Sequence, residues 1–146
     1  MIRTALAAGA VALAVAACGS SPPSIGRLRT QATRVCQRAL TQTSSLQPPA
    51  TPAQTASFLR HGIAALGPEL AQLRRLPTPS DQAGPYAAAL DAMGRELTLL
   101  TATVHALDRG ADPLSAIKAL QHKLTPVEAR DVTAWRTLDI PACVNR

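Results

Sequence analysis

The segment YAAALDAMGRELTLLTATVHAL, residues 86–107, decides the fold. Its large apolar residues, Tyr86, Leu90, Met93, Leu97, Leu100, Val104 and Leu107, recur at intervals of 4, 3, 4, 3, 4 and 3. A 3.5-residue period of this kind keeps one seam of a helix turned toward its neighbours, as antiparallel bundle packing at shallow angles requires. The helix should begin between Ser80 and Pro85 and end at Gly110.

The same kind of pattern extends to both sides of this segment. Upstream, Thr51-Pro52-Ala53-Gln54 reads as a helix start, with a Thr cap, Pro at the first helical position and a Gln able to return a hydrogen bond. Leu59, Ile63, Leu66, Leu70 and Leu73 then repeat as far as Pro77 and Pro79, and Gly67-Pro68 is expected to kink that helix without splitting it. Downstream, Asp112-Pro113 opens a helix carrying Leu114, Ile117, Leu120 and Leu124. Thr125-Pro126-Val127-Glu128 repeats the start signature, so this helix should be kinked or broken at Thr125. Val127, Val132 and Trp135 continue it toward an extended tail, Leu138 to Cys143. The first helix reads from Ser24 to Ser44, with Ile25, Leu28, Ala32, Val35 and Ala39 on one stripe and Cys36 beside it. Nothing alternates with a period of two. The expected fold is all-α, a four-helix up-down-up-down bundle with kinked helices.

Residues Val15-Ala16-Ala17-Cys18 close a short apolar run that starts after Arg3. They resemble the lipobox of a bacterial lipoprotein, and the run is too short to cross a bilayer as a mature helix. The resemblance implies a cleaved signal peptide over residues 1–17 and a diacylglyceryl group on the Cys18 thiol. It also implies attachment to the cell membrane on its extracytoplasmic face. An ordinary secretory signal with an incidental Cys18 is the alternative. Residues 18–24 then form the lipidated cysteine and a Pro-rich linker, and residues 25–146 the bundle domain. Six extended residues reach at most about 20 Å, which keeps the bundle close to the membrane.

Setting Cys18 aside leaves Cys36 and Cys143, an even pair in an oxidising compartment. One disulfide between them is expected, with two buried thiols as the alternative. The chain further resembles a broad group of small helical lipoproteins of high-GC actinobacteria. That likeness rests on Ala32-Thr33-Arg34-Val35-Cys36, on the joint from Glu69 to Pro79, on Tyr86-Ala87-Ala88-Ala89-Leu90 and on Ile140-Pro141-Ala142-Cys143. It implies a bundle stapled near both ends of its sequence, and no activity.

The net charge of +6 is unevenly placed, because no Asp or Glu precedes Glu69 while Arg27, Arg29, Arg34, Arg38 and Arg60 all do. Arg27, Arg34 and Arg38, at i, i+7 and i+11, should line the side of the first helix away from its apolar stripe. With Phe58, Tyr86 and Trp135 as the only aromatic residues, the chain lacks platforms for stacking bases, so nucleic acid is not the expected partner. Anionic lipid or wall polymer is the better class, reached through Arg27, Arg34 and Arg38.

A metal site in a bundle calls for Glu-x-x-His motifs on facing helices, and none occurs. His61, His105 and His122 fall off the apolar seams, and Asp91, Glu96 and Asp108 read as a solvated face. A Gly-x-Ser-x-Gly elbow and a Cys-x-x-Cys-His haem site are also missing. No metal, cofactor or catalytic residue is expected, and the chain reads as a non-enzyme. The expected role is structural, or contact with another envelope protein. The alternative is a carrier holding a small ligand or lipid between helices parted at Pro68 and Pro126.

Overall fold

The computed structural model describes residues 22–144, and the lipobox with Cys18 lies outside them. Four helices make up most of this span: α1 (Ile25–Ser44), α2 (Thr55–Leu73), α3 (Ala83–Asp108) and α4 (Pro113–Thr137). Among the described residues there is no strand. The protein is an all-α four-helix bundle.

Two of the helices, α1 and α4, begin at a side chain that caps their first N–H groups. Ser24 Oγ accepts from Arg27 N at 3.3 Å, and Asp112 Oδ2 accepts from Ser115 N at 2.9 Å. That backbone donor holds the Asp112 carboxyl below its usual pKa. The Thr51 start is a 3-10 turn, Pro52–Gln54, in which Gln54 Oε1 accepts from the backbone N–H of Ala50 and Thr51. At the end of α3 the chain turns back at Gly110, whose φ of 88° favours a residue without Cβ.

Successive helices run antiparallel, which two apolar clusters make plain. One joins the first half of α1 (Leu28, Ala32, Val35, Cys36) to the end of α2 (Leu70, Leu73), the start of α3 (Tyr86, Ala89, Met93) and the end of α4 (Ala134, Trp135). The other joins Leu59 of α2, Leu100 and Val104 of α3, and Leu120 of α4 at the opposite end. Trp135 is fully buried and meets Tyr86 edge to face, with ring centroids 5.9 Å apart. Its indole N–H donates to Asp131 Oδ1 at 2.9 Å, one turn back on α4. Tyr86 donates its hydroxyl to Leu73 O at 2.7 Å, tying α3 to the last turn of α2.

One alternative drops out and one expectation needs correction. Of the two readings at Thr125, kinked or broken, the break is absent, since α4 runs unbroken through Pro126 to Thr137. Pro126 removes only one N–H, and the Thr125 hydroxyl donates to Gln121 O at 3.0 Å. Leu124 and Val127 pack on either side, so tertiary contact overrides the local start signal. Nor is the tail extended. Asp139 takes a left-handed φ of 57°, Ile140 N donates back to Trp135 O, and Pro141–Cys143 form a 3-10 turn against α1. The cause is burial: Leu138, Ile140 and Cys143 are all fully enclosed, and only a turned chain brings all three inward. At Gly67-Pro68 the helix is not split, since α2 is continuous across it.

The disulfide is present, joining Cys36 to Cys143 with Cα atoms 5.1 Å apart. Arg29 reinforces the same junction, its Nε donating to Leu138 O at 2.8 Å and its Nη1 lying 3.5 Å from Asp139 Oδ2.

Burial at Tyr86 makes a pH test possible. Loss of water around the ring pushes its hydroxyl well above the usual value of 10.0. Above pH 10 the unfolded chain therefore loses a proton that the folded chain keeps, and stability falls as pH rises. Tyr86 is the only tyrosine, so tyrosinate absorbance reports it alone. We expect Tyr86→Phe to cost about 1–2 kcal/mol at neutral pH, because Leu73 O loses its donor, and to flatten the alkaline fall. Urea titrations of both proteins at several alkaline pH values measure the two effects. Equal slopes would show that Tyr86 is not the titrating group.

Candidate functional site

On α1, residues 31, 34, 35 and 38 share one side by helical spacing, and the antiparallel packing of α2 sets its last turn against them. Between the two lies an open groove of about 730 Å³. Arg34 and Arg38 line it from α1, Gln72 from α2, and Arg75 from the turn just beyond α2. Arg38 Nη2 donates to Gln72 Oε1 at 2.8 Å, which holds that guanidinium over the groove. No carboxylate lines it. α1 contains no acid, and Glu69, the nearest in sequence, is buried.

Arg34 and Arg38 stand four residues apart on one helix face, a like-charge spacing that costs a few tenths of a kcal/mol in an isolated helix. Arg75 adds a third positive charge from the neighbouring segment. The guanidinium fork matches a phosphate or carboxylate in two-point geometry, and a polyanion in the groove would relieve the repulsion.

The expected stripe is therefore divided. Arg34 and Arg38 come together with Arg75, while Arg27 is exposed two turns toward the start of α1 and does not line the groove. Arg29, which the charge count grouped with them, turns to the tail instead. Arg75 and Gln72 were not singled out from sequence as site residues, because their role depends on the antiparallel return of α2. The available signal was their spacing of three residues at a helix end.

His61, His105 and His122 are exposed, as are Asp91 and Asp108, while Glu96 is half-buried. Asp108 forms an ion pair with Arg60 across α2 and α3. Among the described residues no three of His, Cys, Asp and Glu converge to hold a metal ion, and no helix is long and apolar enough to cross a membrane. Two buried acids, Glu69 and Asp131, gave no sign in the charge pattern. Comparison with family models, curated proteins and solved structures finds no match to this chain.

Proposed function

We propose that the protein is a lipid-anchored, extracytoplasmic helical bundle without catalytic activity, whose α1–α2 face rests on an anionic layer of the cell envelope. The observation that carries this reading is the groove holding Arg34, Arg38 and Arg75 with no carboxylate in its lining. The Val15-Ala16-Ala17-Cys18 motif supplies the anchor, seven residues before α1 begins at Ile25. From Ile25 to Arg38 the helix rises about 20 Å, so Arg34 and Arg38 reach headgroups only if the bundle lies on this side. Each is then worth about 1 kcal/mol against an anionic leaflet, screened over about 10 Å. The role is structural, or contact with an envelope protein, held in a fixed orientation.

The test has two arms on the full chain. Cys18→Ala should move the protein out of the detergent phase, and mass spectrometry of the wild type should find acyl chains on Cys18. An unmodified amino terminus beyond residue 18 removes the anchor. In the second arm, the Cys18→Ala protein should bind vesicles containing phosphatidylglycerol at low salt, release them as salt rises and ignore neutral vesicles. The variant Arg34→Gln/Arg38→Gln/Arg75→Gln should bind about a hundredfold less tightly, three lost contacts of about 1 kcal/mol each. Unchanged binding would leave these arginines as ordinary surface.

A further inference from the structure

On the opposite pair of helices, α3 and α4 approach through small residues. Ala88 and Ala92 on α3 and Ala129 and Ala134 on α4 leave an open groove of about 620 Å³, since no side chain among them is long enough to fill it. That volume falls within the range of small-molecule sites. A second groove of about 500 Å³ adjoins it, sharing Arg95 and Val127 and lined also by Leu99 and Pro126. The proline named in the carrier alternative thus borders an actual depression.

The lining has two chemical parts. Its floor is apolar, with Ala92, Val127 and Ala134 buried beneath it. The rim is cationic, with Arg95 from α3 where the two grooves meet and Arg130 from α4 beside the first groove, and Lys123 lies farther along. Asp91 is the one carboxylate in the lining. Between Pro85 and Arg95 the helix rises about 15 Å. One acyl chain covers a similar length, half of the roughly 30 Å hydrocarbon core of a bilayer.

We propose that this seam binds one long-chain fatty acid, with its hydrocarbon tail along Ala88, Ala92 and Ala134 and its carboxylate between Arg95 and Arg130. A mostly apolar groove bordered by two guanidiniums fits an amphiphile with an anionic head. A neutral lipid would leave two arginines facing the single carboxylate of Asp91, and an acidic peptide would leave the apolar floor uncovered. This site is separate from the α1–α2 arginines and stands or falls independently of the surface-contact reading.

The test uses the full chain in phosphatidylcholine nanodiscs with palmitic acid carrying a photoreactive diazirine, and mass spectrometry to locate the label. Labels are expected on residues 85–99 and 122–137. Arg95→Gln/Arg130→Gln should weaken labelling about tenfold, the worth of a charge-assisted contact. Ala88→Leu/Ala129→Leu should abolish it by filling the groove. Both alanines are exposed, so thermal melts by circular dichroism should match wild type. Removing both arginines with Arg34, Arg38 and Arg75 intact also separates this site from vesicle contact. The proposal is overturned by labels spread evenly over the bundle or unaffected by the leucine pair. Equal labelling by a diazirine hexadecanol overturns it too, as do cross-links showing a second copy of the chain or another protein in the groove.

Discussion

Replacing Cys36 with Ser should lower the stability of the bundle by about 5 kcal/mol, slightly more than the chain-entropy value for a loop of roughly 100 residues. For a domain of this size that is a Tm drop of about 15 °C. The bridge spans a sequence separation of 107, so it denies the unfolded chain nearly all of its end-to-end freedom. The loss should exceed the cross-link's own contribution, because Cys36 and Cys143 are both fully buried and a serine hydroxyl would sit in an apolar cluster. Cys36→Ala separates the two effects by removing the bridge without adding a hydroxyl. Urea titrations followed by fluorescence of the single tryptophan should rank wild type above Cys36→Ala, and that above Cys36→Ser. If reductant leaves the wild-type midpoint unchanged, the bridge does not stabilise the fold.

A comparable loss is expected at Trp135. Truncation to Ala should cost about 4 kcal/mol, since the side chain fills the junction of α1, α2, α3 and the tail and the space left cannot collapse. Trp135→Phe tests a narrower point. It keeps most of the apolar contact but removes the N–H that donates to buried Asp131, and should cost about 2 kcal/mol. Asp131→Ala alone removes the acceptor and leaves the indole N–H buried. In the double variant the two penalties should partly cancel, giving a coupling energy of about 1 kcal/mol in a double-mutant cycle. Strict additivity, measured by thermal melts followed by circular dichroism, would mean that the hydrogen bond contributes nothing.

How much of this was legible in the sequence follows from what each residue had to do. The seam of α3 was legible because large side chains at a fixed period have only one reading, and Tyr86, Met93, Leu100 and Val104 are indeed buried. Ala89 and Ala92 are equally buried but were passed over. α3 is packed by both α2 and α4, so it needs a second stripe beside the seam, and alanine carries no signal of its own there. The disulfide was legible by counting. The shape of the tail was not, because Asp139 in a left-handed conformation is a choice that only burial of its neighbours enforces. The site was half legible: charge segregation pointed to α1, but Arg75 joins Arg34 and Arg38 only when α2 folds back. The α3–α4 groove follows from alanines whose effect is the space they leave, and a sequence does not display empty space.

The Cys36–Cys143 bridge also decides which parts of the chain would carry a mechanical load. A covalent ring from residue 36 to residue 143 contains α2, α3 and α4 entirely. Tension between the two ends of the chain passes along the first half of α1, crosses the sulfur bridge and leaves through the last residues. The other three helices lie off the force path. If the bundle is tethered at its amino terminus and pulled by something held at its carboxyl end, only the turns of α1 ahead of Cys36 can peel away. Leu28, Ala32 and Val35 resist that peeling from within the core. The extension at rupture should therefore be short, a few turns of helix rather than the length of the chain.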